Sequence, residues 1–336
     1  YLVRILGPEK FGLLAFATAT VAYFAIITEY GFNLSATRQI SLNRKNKTKI
    51  NKIFSSVIAI KIILLLFSLT IFSVIIFSFD FFYKERYLYF ITFLMIFGNV
   101  LFPIWFFQGI EKMEYITYLN AFFRLIATIC IFVFVNQEKD YILVPLFNSF
   151  GTLMSGIAAI ILVRNYFNVR IVRQDIMTLK YYFKDGWDLF LSNLSISLYT
   201  TSNIFFLGIF TNDLTVGFFA AAEKIIQAIK GLFTPITQAL FPFVSKSLSE
   251  FPDKGLIFIK KLKWVLGSLM FLVSLILFLY SDFLIHLIIG DQFQKSILLL
   301  KILAFTPFLV SMSSIFGVLI MINLGYKKVF SRIIIL

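Results

Sequence analysis

Residues 53–78 read IFSSVIAIKIILLLFSLTIFSVIIFS, a run whose single charge is Lys61. At about 1.5 Å per residue, a helix of this length crosses the roughly 30 Å hydrocarbon core of a bilayer. Comparable apolar runs recur at 11–35, 87–107, 116–135, 142–163, 186–210, 216–240, 264–285 and 297–324, which predicts nine whole spans joined by short connections. Tyr1–Leu6 and Ile333–Leu336 read as pieces of two more, so the chain is expected to be truncated inside a transmembrane helix at both ends. Composition points the same way. The 336 residues are 60% hydrophobic and 14% charged, with a mean hydropathy of +0.90, and a soluble domain of this size needs more polar surface to cover its core. The expected fold is all-α, a polytopic transmembrane helical bundle.

A net charge of +14 would suggest nucleic acid as a partner of a soluble protein. Here the basic residues sort by loop instead. Twenty Lys and Arg fall in loops 37–52, 108–115, 164–185, 243–263 and 325–332, against five in loops 7–10, 79–86, 136–141, 211–215 and 286–296. Basic loops stay on the cytoplasmic side, so the first set faces inward, membrane lipid is a partner, and no nucleic acid is expected. Cys130 and His286 are the only cysteine and histidine, which leaves no disulfide framework and no set of N and S ligands for zinc. No cofactor is expected. Gly7-Pro8-Glu9-Lys10-Phe11-Gly12 has the glycine spacing of a phosphate loop, but Leu13 stands where the lysine belongs.

Leu6-Gly7 and Leu207-Gly208 are each followed by a short polar loop, a second glycine (Gly12, Gly217) and an apolar helix. Both turns face outward, so the two repeats are expected to be parallel, six helices each, with a site between them. The corresponding division is an N-terminal lobe at 1–163, a cytoplasmic connection at 164–185 and a C-terminal lobe at 186–336. Aligned on the second glycines, Thr18, Ala22, Ala25, Glu29 and Asn33 match Glu223, Gln227, Lys230, Thr234 and Gln238, each set lying on one helical face.

An ionised side chain at mid-membrane costs roughly 2.5 to 3.5 kcal/mol on the insertion scale and asks for a partner or a wet cavity. Arg4, Lys61, Arg124, Lys224, Lys230 and Lys301 fall within the spans. Arg4 and Lys301 sit near outward ends, where snorkelling suffices. Lys61, Arg124 and Lys230 lie too deep for that. Arg124 shares a face with Thr117, Asn120 and Thr128; Lys230 with Glu223, Gln227, Thr234 and Gln238; Asp188 with Ser192, Ser195 and Tyr199. Polar stripes of this kind line an aqueous interior, although Ser and Thr also serve as interhelical glue. Lys61, Arg124, Lys230, Lys224 and Gln227 are the candidates for an anionic cargo, because Arg and Lys form strong charge-assisted bonds to phosphate in a low-dielectric site. Glu29, Glu223 and Asp188 either neutralise these cations or take up a coupling ion. Pro103, Pro235 and Pro242 interrupt spans and are hinge candidates.

Three runs carry a family resemblance: Leu6-Gly7-Pro8-Glu9-Lys10-Phe11-Gly12, Tyr30-Gly31-Phe32-Asn33-Leu34-Ser35-Ala36-Thr37-Arg38, and Ile104-Trp105-Phe106-Phe107-Gln108-Gly109-Ile110-Glu111-Lys112-Met113. Asp185-Gly186-Trp187, Val216-Gly217, Ala222-Glu223-Lys224-Ile225 and Leu240-Phe241-Pro242 follow in order. Together they resemble the O-antigen flippases (Wzx-type) of the multidrug/oligosaccharidyl-lipid/polysaccharide exporter superfamily. The resemblance implies a V-shaped exporter fold in the bacterial inner membrane that opens alternately to either side. It also implies an undecaprenyl-pyrophosphate-linked oligosaccharide as cargo and glycan-assembly proteins as candidate partners. Within the motifs, Gly7, Gly12, Gly31 and Gly109 read as turn and packing residues, and Arg38 and Arg44 as cytoplasmic loop charges that meet headgroups or phosphate.

The expected function is therefore that of a transporter, not an enzyme. A drug or metabolite antiporter of the same fold is the nearest alternative and would favour an acidic or aromatic cavity. A membrane glycosyltransferase or polymerase would need carboxylates in a large outward loop, and the outward loops here are short. A passive scramblase would differ only in energetics.

Overall fold

A computed structural model describes residues 1–250 and 252–321 of the chain. The side chains of Tyr199, Thr234, Pro235, Gln238 and Pro242, and the whole of 322–336, lie outside what is described. All regular structure among the described residues is helical. Seven helical stretches are long and apolar enough to cross a membrane: Leu2–Leu42, Lys47–Ser78, Arg86–Gly109, Glu114–Phe134, Glu138–Asn165, Ile257–Leu279 and Lys295–Gly317. They coincide with seven of the nine expected spans. The other two, 186–210 and 216–240, form continuous helices that are long enough but more polar along their length.

The helices gather into two compact units, Tyr1–Val216 and Gly217 onward. In the first, α1 (Leu2–Glu29) bends at Gly7, whose φ of 66° and ψ of 173° leave the helical region just before Pro8. The turn expected at 7–10 is thus a kink within one helix. Tyr30 and Gly31 both take left-handed conformations and redirect the chain into α2 (Phe32–Leu42). Asn46 then caps α3 (Lys47–Ser78) by accepting from the Lys49 amide, satisfying one of the orphan donors of a helix start. A single turn, α4 (Asp80–Tyr83), leads to α5 (Arg86–Leu101), which stops at Phe102-Pro103 and resumes as α6 (Ile104–Gly109). Two further spans, α7 (Glu114–Phe134) and α8 (Leu143–Asn165), are joined by a short turn in which the Asp140 carboxylate accepts from the Asn136 and Gln137 amides at 3.0 and 2.9 Å. The connection at 164–185 runs along the start of α3, where Asn51 accepts from the Arg170 amide (3.0 Å) and Ser55 from that of Val172 (2.8 Å). It feeds α9 (Ile176–Phe210), which packs on α1, α2 and α3.

Close helix approach holds this unit together, since lipid gives little hydrophobic reward for association. α5 lies directly on α8: a Cβ added at Gly98 would stand 2.4 Å from the Thr152 carbonyl carbon, and one at Gly156 would stand 2.6 Å from the Gly98 oxygen. Ser149 donates to the Ile91 carbonyl at 2.8 Å across the same contact. Two apolar clusters fill the unit. One, around Phe16, Phe72, Tyr89, Phe93 and Ile96, joins α1, α3 and α5; the other, around Tyr30, Phe32, Phe54, Trp105, Phe106 and Phe107, lies under the α1–α2 and α5–α6 breaks. Edge-to-face rings such as Phe24 on Phe72 (5.2 Å) supply contacts typical of aromatic cores.

In the second unit, α10 (Asp213–Glu250) continues past Gly217, followed by α11 (Pro252–Leu279), the short α12 (Ser281–Leu284), α13 (Lys295–Leu303) and α14 (Thr306–Ser314). Phe233, Leu266, Met270 and Ile315 form its core. Ser296 donates to the Phe218 carbonyl at 2.8 Å, fixing the start of α13 on α10. In the connection between α12 and α13, His286 stands between two carboxylates, with Nδ1 2.5 Å from Asp291 and Nε2 3.4 Å from Asp282. The hydrogen bond to Asp291 is the main cause that raises the imidazole's proton affinity above its ordinary value.

Two predictions follow from this packing. Gly98→Leu should lower the melting temperature of the detergent-purified protein by several degrees, an overpacking cost of about 1 to 3 kcal/mol. Gly231→Ala, where a Cβ meets nothing within 4 Å, should leave it unchanged or raise it by up to about 1 kcal/mol. The single histidine also allows a selectively labelled NMR titration: the midpoint should lie above 6.5 and fall in Asp291→Asn. Because the folded midpoint is the higher one, the cluster's stabilisation is complete below pH 6.5 and is lost as pH rises through the elevated midpoint.

Candidate functional site

Arg124 is the eleventh of the 21 residues of α7, about 15 Å of helix from either end. It is exposed, because α7 leans mainly on α8 and only Ala127 and Ile131 of its residues are buried. Thr117, Asn120 and Thr128 of the same stripe are exposed with it. The Asn120 side chain accepts from Ser155 of α8 at 3.1 Å, which fixes one edge of the stripe. Thr128 returns its proton to the Arg124 carbonyl, the local bond that lets a hydroxyl sit inside a helix at little cost. The other flank, Phe122, Leu125, Ile129, Phe132 and Val133, is exposed and apolar, as a lipid-facing surface should be. A guanidinium on the polar stripe therefore requires water or a polar occupant.

Among the described side chains of α10, the apolar Val216, Phe218, Ala220, Ala221, Ala222, Ile226, Phe233 and Val244 are buried, whereas the polar positions from Glu223 to Lys230 keep some exposure. Glu223 and Lys230 are half-buried, Lys224 and Gln227 exposed, and Gln227 donates to the Glu223 carboxylate at 3.3 Å. The stripe is thus continuous from Glu223 to Lys230, with Thr234 and Gln238 beyond the described side chains. On α1, Thr18 is exposed and Ala22, Ala25 and Glu29 are half-buried, whereas Asn33, expected on the same helical face, lies beyond the Tyr30-Gly31 break on α2, where it is half-buried. Asp188 is exposed on α9, whereas Ser192 and Ser195 spend their hydroxyls on the Asp188 and Leu191 carbonyls. Both serines are exposed and their hydrogen bonds are local to α9.

Lys61 differs from the rest. It is 2% exposed, and its ammonium donates to the Asn99 carbonyl of α5 at 3.1 Å. Depth alone does not separate Lys61 from Arg124; their surroundings do. Arg4 and Lys301 are exposed near their helix ends, as snorkelling residues should be.

The motif residues converge on two places. Gly31 lies so close to α9 that a Cβ would stand 2.8 Å from that of Leu189, and its φ of 73° would strain any other residue. The Tyr30 ring stacks between Phe183 (4.4 Å) and Phe190 (4.9 Å) beside Gly186, and Gln39 donates to Asp185 at 3.2 Å. Second, α6 clasps α2. The Thr37 hydroxyl, which donates to the Asn33 carbonyl of its own helix at 2.6 Å, also lies 3.2 Å from the Trp105 carbonyl and 3.3 Å from the Gln108 side chain, and Gly109 admits Ile40, whose Cγ2 would lie 2.5 Å from an added Cβ. Arg44 closes this contact through the Gly109 carbonyl (2.7 Å) and Glu111 (2.8 Å). The bond from Arg44 holds the Glu111 carboxyl below its usual range. The sequence analysis read Arg44 as a loop charge and missed its pairing with Glu111. Sequence spacing says nothing about which loop Glu111 meets.

Comparison with known proteins agrees with this architecture. The family model described as "Polysaccharide biosynthesis protein" matches residues 1–248. A candidate O-antigen transporter of Escherichia coli (strain K12) is 36% identical over 335 residues, covering 100% of this chain and 81% of the relative. Another candidate O-antigen transporter, from Shigella dysenteriae, is 30% identical over 336 residues, covering 100% and 84%. Among solved structures, an inward-facing multidrug resistance MATE family transporter of the MOP superfamily superposes with a TM-score of 0.71 over 99% of this chain and 81% of its own length, at 14% identity. At that identity the likeness shows the fold. The chain is a multi-pass membrane transporter, not an enzyme, and it belongs to the polysaccharide biosynthesis protein family.

Proposed function

We propose that this protein is a flippase that moves an undecaprenyl-pyrophosphate-linked oligosaccharide from the cytoplasmic to the periplasmic leaflet of the bacterial inner membrane by alternating access. The observation that carries the reading is Arg124, a guanidinium left uncovered by protein at the middle of a spanning helix. Such a group is stable only in an aqueous path or against an anion, and it offers the bidentate geometry that pyrophosphate oxygens accept. Lys230 and Lys224, with Gln227 between them on α10, extend the cationic and polar surface in the second unit. The names of the Escherichia coli and Shigella dysenteriae relatives support an O-antigen saccharide as the mobile group.

In this reading the halves at 1–163 and 186–336 act as parallel six-helix lobes joined by 164–185. Glu29, Glu223 and Asp188 are the carboxylates available to balance the cations or to take up a coupling ion, and none of them is fully buried. Glycan-assembly proteins at the membrane surface supply and receive the cargo.

The test is complementation of a flippase-deleted bacterium, reading surface glycan and precursor held on the cytoplasmic face. Each charge-assisted bond to phosphate contributes about 1.5 to 3 kcal/mol, so Arg124→Ala and Lys230→Ala should each reduce export at least tenfold at unchanged membrane levels. Arg124→Lys should retain part of it. Lys301→Ala, near an outward helix end, should export normally. Full export by the Arg124→Ala/Lys230→Ala double variant would overturn the phosphate assignment. Failure of the unaltered protein to rescue any saccharide background, while present in the membrane, would favour an antiporter of the same fold.

A further inference from the structure

In an α-helix the carbonyl of residue 99 accepts from the amide of residue 103, and residue 103 of this chain is proline. Pro103 has no N–H, and the backbone at Phe102 is already extended (φ −84°, ψ 105°), so α5 ends with the Asn99 carbonyl unclaimed by its own helix. Inside a bilayer no water replaces the missing donor. The group that does is the Lys61 ammonium, which reaches from the middle of α3 to the Asn99 oxygen at 3.1 Å and is 2% exposed. A cation at this point also meets the negative end of the α5 dipole.

We infer that Lys61 is a positioning residue: its ammonium takes the place of the amide that Pro103 removes, and so holds the α5–α6 break that delivers Trp105–Gly109 to α2. The consequence can be followed residue by residue. With the break held, α6 turns so that the Trp105 carbonyl and Gln108 meet Thr37, and Gly109 meets Ile40. Without the lysine, the Asn99 carbonyl is left buried and unpaired at the point where α5 must bend. An apolar residue of similar length at 61 would fill the space and supply no donor. The role also accounts for why a charge stands at depth in a run as apolar as 53–78 without facing a cavity. It rests on the backbone chemistry of this fold and is independent of what the transporter carries.

The decisive experiment is a double-mutant comparison in the whole protein, reading melting temperature in detergent with surface-glycan export alongside. Lys61→Met should lower the melting temperature by 5 °C or more. Adding Pro103→Ala returns an N–H to position 103 and lets the backbone claim the Asn99 carbonyl, so Lys61→Met/Pro103→Ala should recover at least half of that loss. Lys61→Arg, which keeps a charged donor, should lose less than Lys61→Met. If Lys61→Met gives no folded protein, Lys61→Gln, whose neutral amide is a weaker donor than the ammonium, is taken through the same two backgrounds, with a smaller loss than in Lys61→Met and at least half of it recovered by Pro103→Ala. An unchanged melting temperature in Lys61→Met, or an equal loss with and without Pro103, overturns the assignment. Loss of export in Lys61→Met at normal melting temperature would instead place Lys61 against cargo.

Discussion

The structure depends on one constraint: within the hydrocarbon layer, every backbone N–H and C=O must find its partner in the protein. An uninterrupted helix meets it automatically. This chain interrupts its helices at Gly7-Pro8, at Tyr30-Gly31 and at Phe102-Pro103, and the last two breaks are covered by protein. The Tyr30-Gly31 turn is sealed by α9, whose Phe183 and Phe190 rings enclose Tyr30 while Leu189 lies against Gly31. The Phe102-Pro103 turn is sealed by a side chain, Lys61, whose ammonium takes the freed carbonyl. The need to cover irregular backbone thus explains why α9 packs on α1, α2 and α3 as one unit with them.

The same constraint divides the deep charges. An ammonium and a guanidinium at mid-membrane carry similar insertion penalties, yet the chain meets them in opposite ways. Lys61 is enclosed and supplied with a carbonyl. Arg124 is left open on a stripe whose other edge is lipid-facing. The first solution gives a fixed bend, the second a surface that must be wet or occupied, and only the second suits a group that meets successive cargo molecules. The polar stripe of α10 follows the second pattern, with Glu223, Gln227 and Lys230 left partly or wholly exposed.

The residues that carry the family resemblance serve mainly as joints. Gly31, Gly109 and Gly186 permit contacts that a Cβ would obstruct or tighten, and Thr37, Gln108, Arg44 and Glu111 tie α2 to the turn after α6. Seven of the nine expected spans were legible in the hydropathy, whereas the turn expected at 7–10 is a kink inside α1. The joint between Arg44 and Glu111 was not legible, because two loop charges 67 positions apart carry no mark of their meeting.

What the sequence by itself determined is whatever depends on neighbours along the chain. Apolar run length sets the spans, loop charge sets their direction, and the positions of Gly and Pro set where a helix cannot continue. What the tertiary structure decided is which partner answers each exposed need. Lys61 and Arg124 are alike in depth and charge when read along the sequence. One became part of a helix end and the other part of an open surface because α3 lies against the end of α5, while α7 leans on α8 and leaves its polar edge bare. Periodicity reports which side of a helix is polar; only the packing of helices distant in sequence reports what that side faces.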